Sequence, residues 1–121
     1  MLHTHKVKNE LNDFFQKIRL NSHDNKAGKD KAAKIDQIVA YVEILHSRIR
    51  KYSKKRRLVL IDSGAGNCYL SYLIYYYYTQ IDHRPIEIHC IDINQKLMDK
   101  NRQLAGEFGF DHMHFHACDI M

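Results

Sequence analysis

Three acidic residues and a pair of glycines are the groups in this sequence best placed to do chemistry. Asp62 opens "DSGAGN" (62–67), in which Gly64 and Gly66 stand one residue apart. Asp92 lies in "CIDIN" and Asp119 in "ACDI". Glycines in such a turn let the backbone approach a ligand with no Cβ in the way, and the N-terminus of a following helix presents free N–H groups. A carboxylate can take two hydrogen bonds side by side, which suits adjacent hydroxyls such as those of a ribose. A dinucleotide fingerprint, G-x-G-x-x-G, would need its third glycine at position 69, where Tyr69 stands. That mismatch weakens the pyrophosphate reading, and a fragment of an NAD- or nucleotide-binding oxidoreductase is kept only as an alternative.

The elements that must position these groups follow from hydrophobic periodicity. Val7, Leu11, Phe14, Phe15 and Ile18 share one helical face, which predicts a helix over about 5–20. "NSHDNKAGKD" (21–30) is polar and turn-rich, a connector. Ile35, Ile38, Val39, Val42, Leu45 and Ile49 predict a second helix over 31–51, with Asp30 as its N-cap. "LVLID" does not alternate, as expected of a strand covered on both faces of a parallel sheet. A helix over 67–79 carries most of the tyrosines, "IEIHCIDI" (86–93) is a second strand, 94–108 a further helix ended by Gly109, and "HMHFHACDI" (112–120) a third strand. Strands alternating with helices indicate an α/β fold with three parallel strands in the order 3-2-1 behind two N-terminal helices. The expected division is 1–30, helix and connector, and 31–121, a Rossmann-like unit. Asp62, Asp92 and Asp119 then all fall at the carboxyl edge of one sheet, where open parallel sheets bind their ligands.

At this point "LIDSGAGNCYLSYLI" resembles the class I S-adenosylmethionine (SAM)-dependent methyltransferases, whose first motif reads acidic-x-Gly-x-Gly-x-Gly. "DSGAGNC" follows it through Gly66, and Cys68 stands where the last glycine often does. The wording looks like the methyltransferase-like branch with the motif D-x-G-x-G-x-x-Y-L-S, over residues 31–121. The resemblance implies SAM as cofactor. Gly64 and Gly66 would shape the loop around its methionine and ribose part, Asp62 would help hold that loop and through it the amino-acid end, and Ser63 and Ala65 would belong to the same cofactor-binding turn. Asp92 would take the ribose hydroxyls and Ile93 would lie near the adenine. Asp119 would face the adenine amino group, with Cys118 and Ile120 nearby. It also implies a fourth strand beside the first, and residues there that orient the methyl acceptor. Neither is found in this sequence, so the expectation is a truncated, seven-strand-type fold. The isolated chain would then be inactive, with its first strand covered by self-association or by a missing C-terminal half.

Composition bounds the rest. With 45% hydrophobic and 27% charged residues the chain is globular in type. No apolar run reaches the roughly 18 residues of a membrane span and the N-terminus has no signal-peptide core, so a soluble, cytoplasmic protein without membrane contact is expected. Cys68, Cys90 and Cys118 form no CxxC pair and read as reduced thiols. Residues 1–57 hold 15 Lys/Arg against 6 Asp/Glu, and 58–121 hold 4 against 8. The run 48–57 carries seven Lys/Arg, which permits RNA or a protein as acceptor without identifying either. His112, His114 and His116 alternate on one strand face, but no neighbouring cysteine or carboxylate in sequence completes a ligand set, and no metal is expected. The reading set against the methyltransferase is a non-catalytic α/β interaction module with a degenerate nucleotide pocket.

Overall fold

The structure, a computed structural model, describes residues 5–21 and 29–119. Two compact units divide the chain, residues 1–54 and 55–121. The first holds α1 (His5–Asn21) and α2 (Lys29–Ile49). Leu11, Phe14, Phe15 and Ile18 of α1 are buried, as are Ile38, Val39, Val42 and Ile49 of α2, so the apolar stripes are the inward faces. Because α2 begins at Lys29, Asp30 stands in its first turn and is not its cap.

The second unit runs β1 (Leu58–Ser63), α3 (Tyr69–Tyr76), a π-helical turn (Tyr77–Ile81), β2 (Ile86–Asp92), α4 (Gln95–Glu107) and β3 (Met113–Ala117). All strands are parallel, in the order β1-β2-β3, with Leu58 opposite Ile86 and His89 opposite His114. This is the predicted α/β order, a Rossmann-like unit with three strands. Both helices lie on one face of the sheet. Tyr72 of α3 meets Asn101 of α4 and packs its ring toward Phe115 of β3. Beneath them lie Ile86, Ile88, Cys90, Met113 and Phe115, the alternate residues of β2 and β3, all buried.

Two boundaries depart from the periodicity. The tyrosine helix does not stay α-helical to residue 79 but widens into the π turn, where Asp82 N–H bonds to the Tyr77 carbonyl. Five residues per hydrogen-bonded loop turn the chain less per residue, which brings the neighbours Tyr77 and Tyr78 inward together. β3 is shorter than expected, so His112 precedes it, and Cys118 and Asp119 lie beyond it. The end of α4 is as predicted. Gly109 has φ +71°, and the Phe110 N–H reaches back to the Ala105 carbonyl at 2.9 Å, a Schellman closure.

β1 is an edge strand, and its residues Val59 and Ile61 are 58% and 68% exposed. The apolar composition that predicted cover on both faces is thus covered on one. The other edge, β3, is partly satisfied by Arg102 of α4, whose guanidinium donates to the Phe115 carbonyl at 2.7 Å. Among the described residues no helix is long and apolar enough to cross a membrane.

Candidate functional site

The β1–α3 turn owes its shape to three left-handed residues. Gly64 and Gly66 have φ +67° and +55°, and the space a Cβ would occupy at each is open. Cys68, at φ +61°, keeps the glycine conformation without being glycine. A left-handed L-residue costs about 1–2 kcal/mol. Burial of the thiol offsets part of that cost, since Cys68 is 1% exposed and its Sγ lies 3.5 Å from the Gly66 carbonyl oxygen. Its hydrogen bond with Cys90, followed by burial, pushes the thiol well above the ordinary range, so it stays protonated.

Five hydrogen bonds fasten the turn and the strand end that leads into it. The N–H groups of Gly64 and Ala65 donate to the Ile91 carbonyl at 2.8 and 3.1 Å. The Gly66 N–H donates to Asp92 Oδ2 at 2.9 Å. The Gly66 carbonyl accepts from Asn101 Nδ2 at 3.1 Å, and Asp62 Oδ2 accepts from Ser71 Oγ of α3 at 2.6 Å. Asp62 therefore ties the end of β1 to the first turn of α3, while Asp92 grips the loop itself.

Asp92 also accepts the Asn94 N–H at 2.9 Å through Oδ1. These backbone donors, Asn94 first and then Gly66, hold its carboxyl below the ordinary value of 3.8. A depressed folded-state value means that Asp92 supports the loop above about pH 3.8 and releases it as the pH falls through its own lower value. The Gly66 amide is expected to lose protection from hydrogen exchange only in that acid range, seen by NMR in a titration downward from neutral pH. Loss of protection at a midpoint above 3.8 would contradict the assignment.

A cleft of about 250 Å³ opens at this edge, lined by Gly64, Ile91, Asp92, Ile93, Cys118 and Asp119. Five of the residues expected from sequence are thus brought together, although Cys118 and Asp119 come from the loop after β3 and not from its end. The Cys118 N–H bonds to the Asp92 carbonyl at 3.1 Å and holds that loop in place. Asp62, Ser63, Ala65 and Gly66 are not among the lining residues, and Ile120 lies outside the described residues. Sequence reasoning missed Ile91, Asn101 and Ser71. Ser71 was visible in the motif itself. Asn101 had a signal too, an amide on the inner face of an apolar helix stripe, which burial obliges to find partners.

With this geometry in place, comparison with known proteins is informative. A family model described as a methyltransferase domain matches residues 33–121. The chain belongs to this family. No curated protein matches it. Among solved structures, this methyltransferase domain resembles coclaurine N-methyltransferase bound to N-methylheliamine and SAH, with 10% identity and a TM-score of 0.53. The match covers 98% of this chain and 38% of that one. A mutant of MtNAS matches with 11% identity and a TM-score of 0.47, over 95% of this chain and 46% of that one. The methyltransferase domain described here therefore spans less than half the length of either structure.

Proposed function

We propose that the cleft is the cofactor-binding wall of a class I methyltransferase and takes SAM. The observation that carries this reading is the convergence of Gly64, Asp92, Ile93, Cys118 and Asp119 at the carboxyl edge of three parallel strands. The residues suit the group. Of the roughly four acceptor positions of the Asp92 carboxylate, Gly66 takes one on Oδ2 and Asn94 one on Oδ1, the Ile93 N–H adds a further interaction, and acceptor capacity remains for a ribose hydroxyl. Ile93 is 73% exposed, an apolar surface fit to lie against an adenine, and Asp119 is an exposed acceptor for an amino group. The open space over Gly64 and Gly66 admits the methionine end without a Cβ clash.

When bound, SAM supplies an electrophilic sulfonium methyl group to an in-line acceptor. The contribution of these residues is to hold and orient, which is worth most when the geometry is fixed in advance. A cleft of about 250 Å³ is below the ~300–1,000 Å³ of a complete ligand pocket. This chain alone is therefore expected to bind weakly, with RNA and protein both open as acceptors. The motif D-x-G-x-G-x-x-Y-L-S (62–71) supports placing it in the methyltransferase-like branch. Calorimetry with SAM and S-adenosylhomocysteine (SAH) tests the reading. Heat of binding to either is expected, and silence with both would overturn it.

A second observation bears on partners. The exposed Val59 and Ile61, on a strand edge that no strand among the described residues pairs, favour association of two copies through β1. Light scattering is expected to show a concentration-dependent dimer, which Ile61→Lys shifts toward monomer. A monomer at every concentration would remove this reading.

A further inference from the structure

We propose that Glu87, His89 and His114 form a binding site for a divalent cation of the zinc class, on the sheet face turned away from α3 and α4. Strand register makes the cluster. His89 and His114 are direct partners across β2 and β3, and Glu87 precedes His89 by two residues, so all three side chains leave the sheet on one side. One ligand atom from each lies within 4.8 Å of the others. The two rings stack at 4.9 Å with planes only 25° apart, so they project from the sheet in the same sense.

Two imidazoles and one carboxylate are a donor set that zinc takes in open sites, where three protein ligands leave a fourth position for water. The remaining nitrogen of His89 is already engaged, since Nδ1 lies 3.0 Å from His116 Nε2. That contact fixes the ring so that Nε2 faces Glu87 Oε2, at 2.6 Å. Histidine ligands are commonly oriented by such a partner on their second nitrogen, and His116 fills that position. Tetrahedral bonds of ~2.0–2.1 Å need ligand atoms roughly 3.3 Å apart, so the Glu87 carboxylate must back away by under ~1 Å while His114 closes in. Both adjustments are side-chain rotations on half-exposed residues. Arg57, 3.7 Å from the other Glu87 oxygen, competes for the carboxylate and makes this a weaker site than a closed structural one.

The site is separate from the cleft. No residue is shared between them, and the nearest residue of the cleft wall, Ile91, follows His89 by two positions, about 7 Å along the strand at ~3.3 Å each. Cation binding therefore does not depend on the SAM reading and can fail or succeed without it.

Zinc chloride alone, titrated into the full chain with competition from a chromophoric chelator, tests the proposal. One Zn²⁺ per chain is expected. His89→Ala and His114→Ala should each weaken it at least tenfold, and Glu87→Gln by less. His3→Ala combined with His5→Ala should leave it unchanged. The histidine ring signals of the wild-type chain give a readout that does not depend on the variants folding. Zinc should shift those of His89 and His114, with a smaller change at His116. No binding, binding that survives loss of both His89 and His114, or shifts confined to other histidines would each overturn the site.

Discussion

Asp92→Ala is expected to weaken SAH binding by on the order of 100-fold or more, while the chain stays folded. The carboxylate is asked to do two things at once. It accepts the Gly66 and Asn94 N–H groups, and it offers its outward lone pairs to a diol. Alanine removes both functions, so the ligand loses its ribose partner and meets a glycine loop that has lost its Gly66 tie and is held to β2 by Gly64 and Ala65 alone. Charge-assisted bonds are roughly twice as strong as neutral ones, which makes this the largest single loss available in the cleft. Folding should suffer much less, because the carboxylate is at the edge of the unit and water can replace it. Asp92→Asn separates the two roles. Its amide oxygen can still take one backbone N–H, so loop protection should be partly retained, but its NH₂ presents donors where the diol needs acceptors. Calorimetry for binding, with a thermal melt for folding, reads both. Undiminished SAH binding by Asp92→Ala would remove Asp92 from the site.

Tyr72→Ala is expected to cost about 3–5 kcal/mol of stability, the range for deleting a buried aromatic side chain. Tyr72 is fully buried and packs between α3, α4 and β3, with Phe110 and Phe115 at ring-centroid distances of 6.3 and 6.5 Å. Its hydroxyl meets both the Asn101 carbonyl and Asn101 Oδ1 at 3.0 Å. Burial raises its pKa well beyond the ordinary phenol value, so it remains a donor throughout the accessible range. Small domains are stable by only ~5–15 kcal/mol, so this loss alone can unfold the chain at moderate temperature. Tyr72→Phe keeps the ring and should cost about 1–3 kcal/mol, the penalty for leaving buried polar atoms short of a partner. The same variant also tests a link to the site. Asn101 joins the Tyr72 hydroxyl on one side to the Gly66 carbonyl on the other, so loss of the hydroxyl should loosen the glycine loop as well. Urea denaturation measures the first effect and amide exchange at Gly66 the second. A loss below ~1 kcal/mol for Tyr72→Ala would mean that the tyrosine helix does not seat on the sheet as described.

Much of this protein was legible in order and type. The run "LVLID", the break at Pro85 and the apolar stripe of α4 are local patterns, and local patterns decide whether a segment is strand or helix and which side it buries. Gly109 was legible for the same reason, since a helix end needs one left-handed residue and glycine adopts that conformation cheaply. The carboxyl-edge placement of Asp62 and Asp92 followed from strand direction alone. By contrast, the π turn after Tyr76 left no mark in the hydrophobic spacing, because it answers to the packing of Tyr77 and Tyr78 against the rest of the unit.

By itself, then, the sequence determined a parallel α/β unit, the glycine turn that opens it, and a carboxylate at the end of the second strand. Tertiary structure decided what those groups touch. Asp62 reaches Ser71 and not the loop, Asp92 takes the Gly66 N–H, and Asn101 bridges the tyrosine helix to the glycine turn. It also set His89 beside His114 and brought Glu87 to them, where the sequence showed only an alternating row of histidines. The physical reason is register. Periodicity along a chain fixes the face on which a residue emerges. Which residue stands opposite it depends on hydrogen bonds between strands far apart in sequence, and those form only when the whole sheet does.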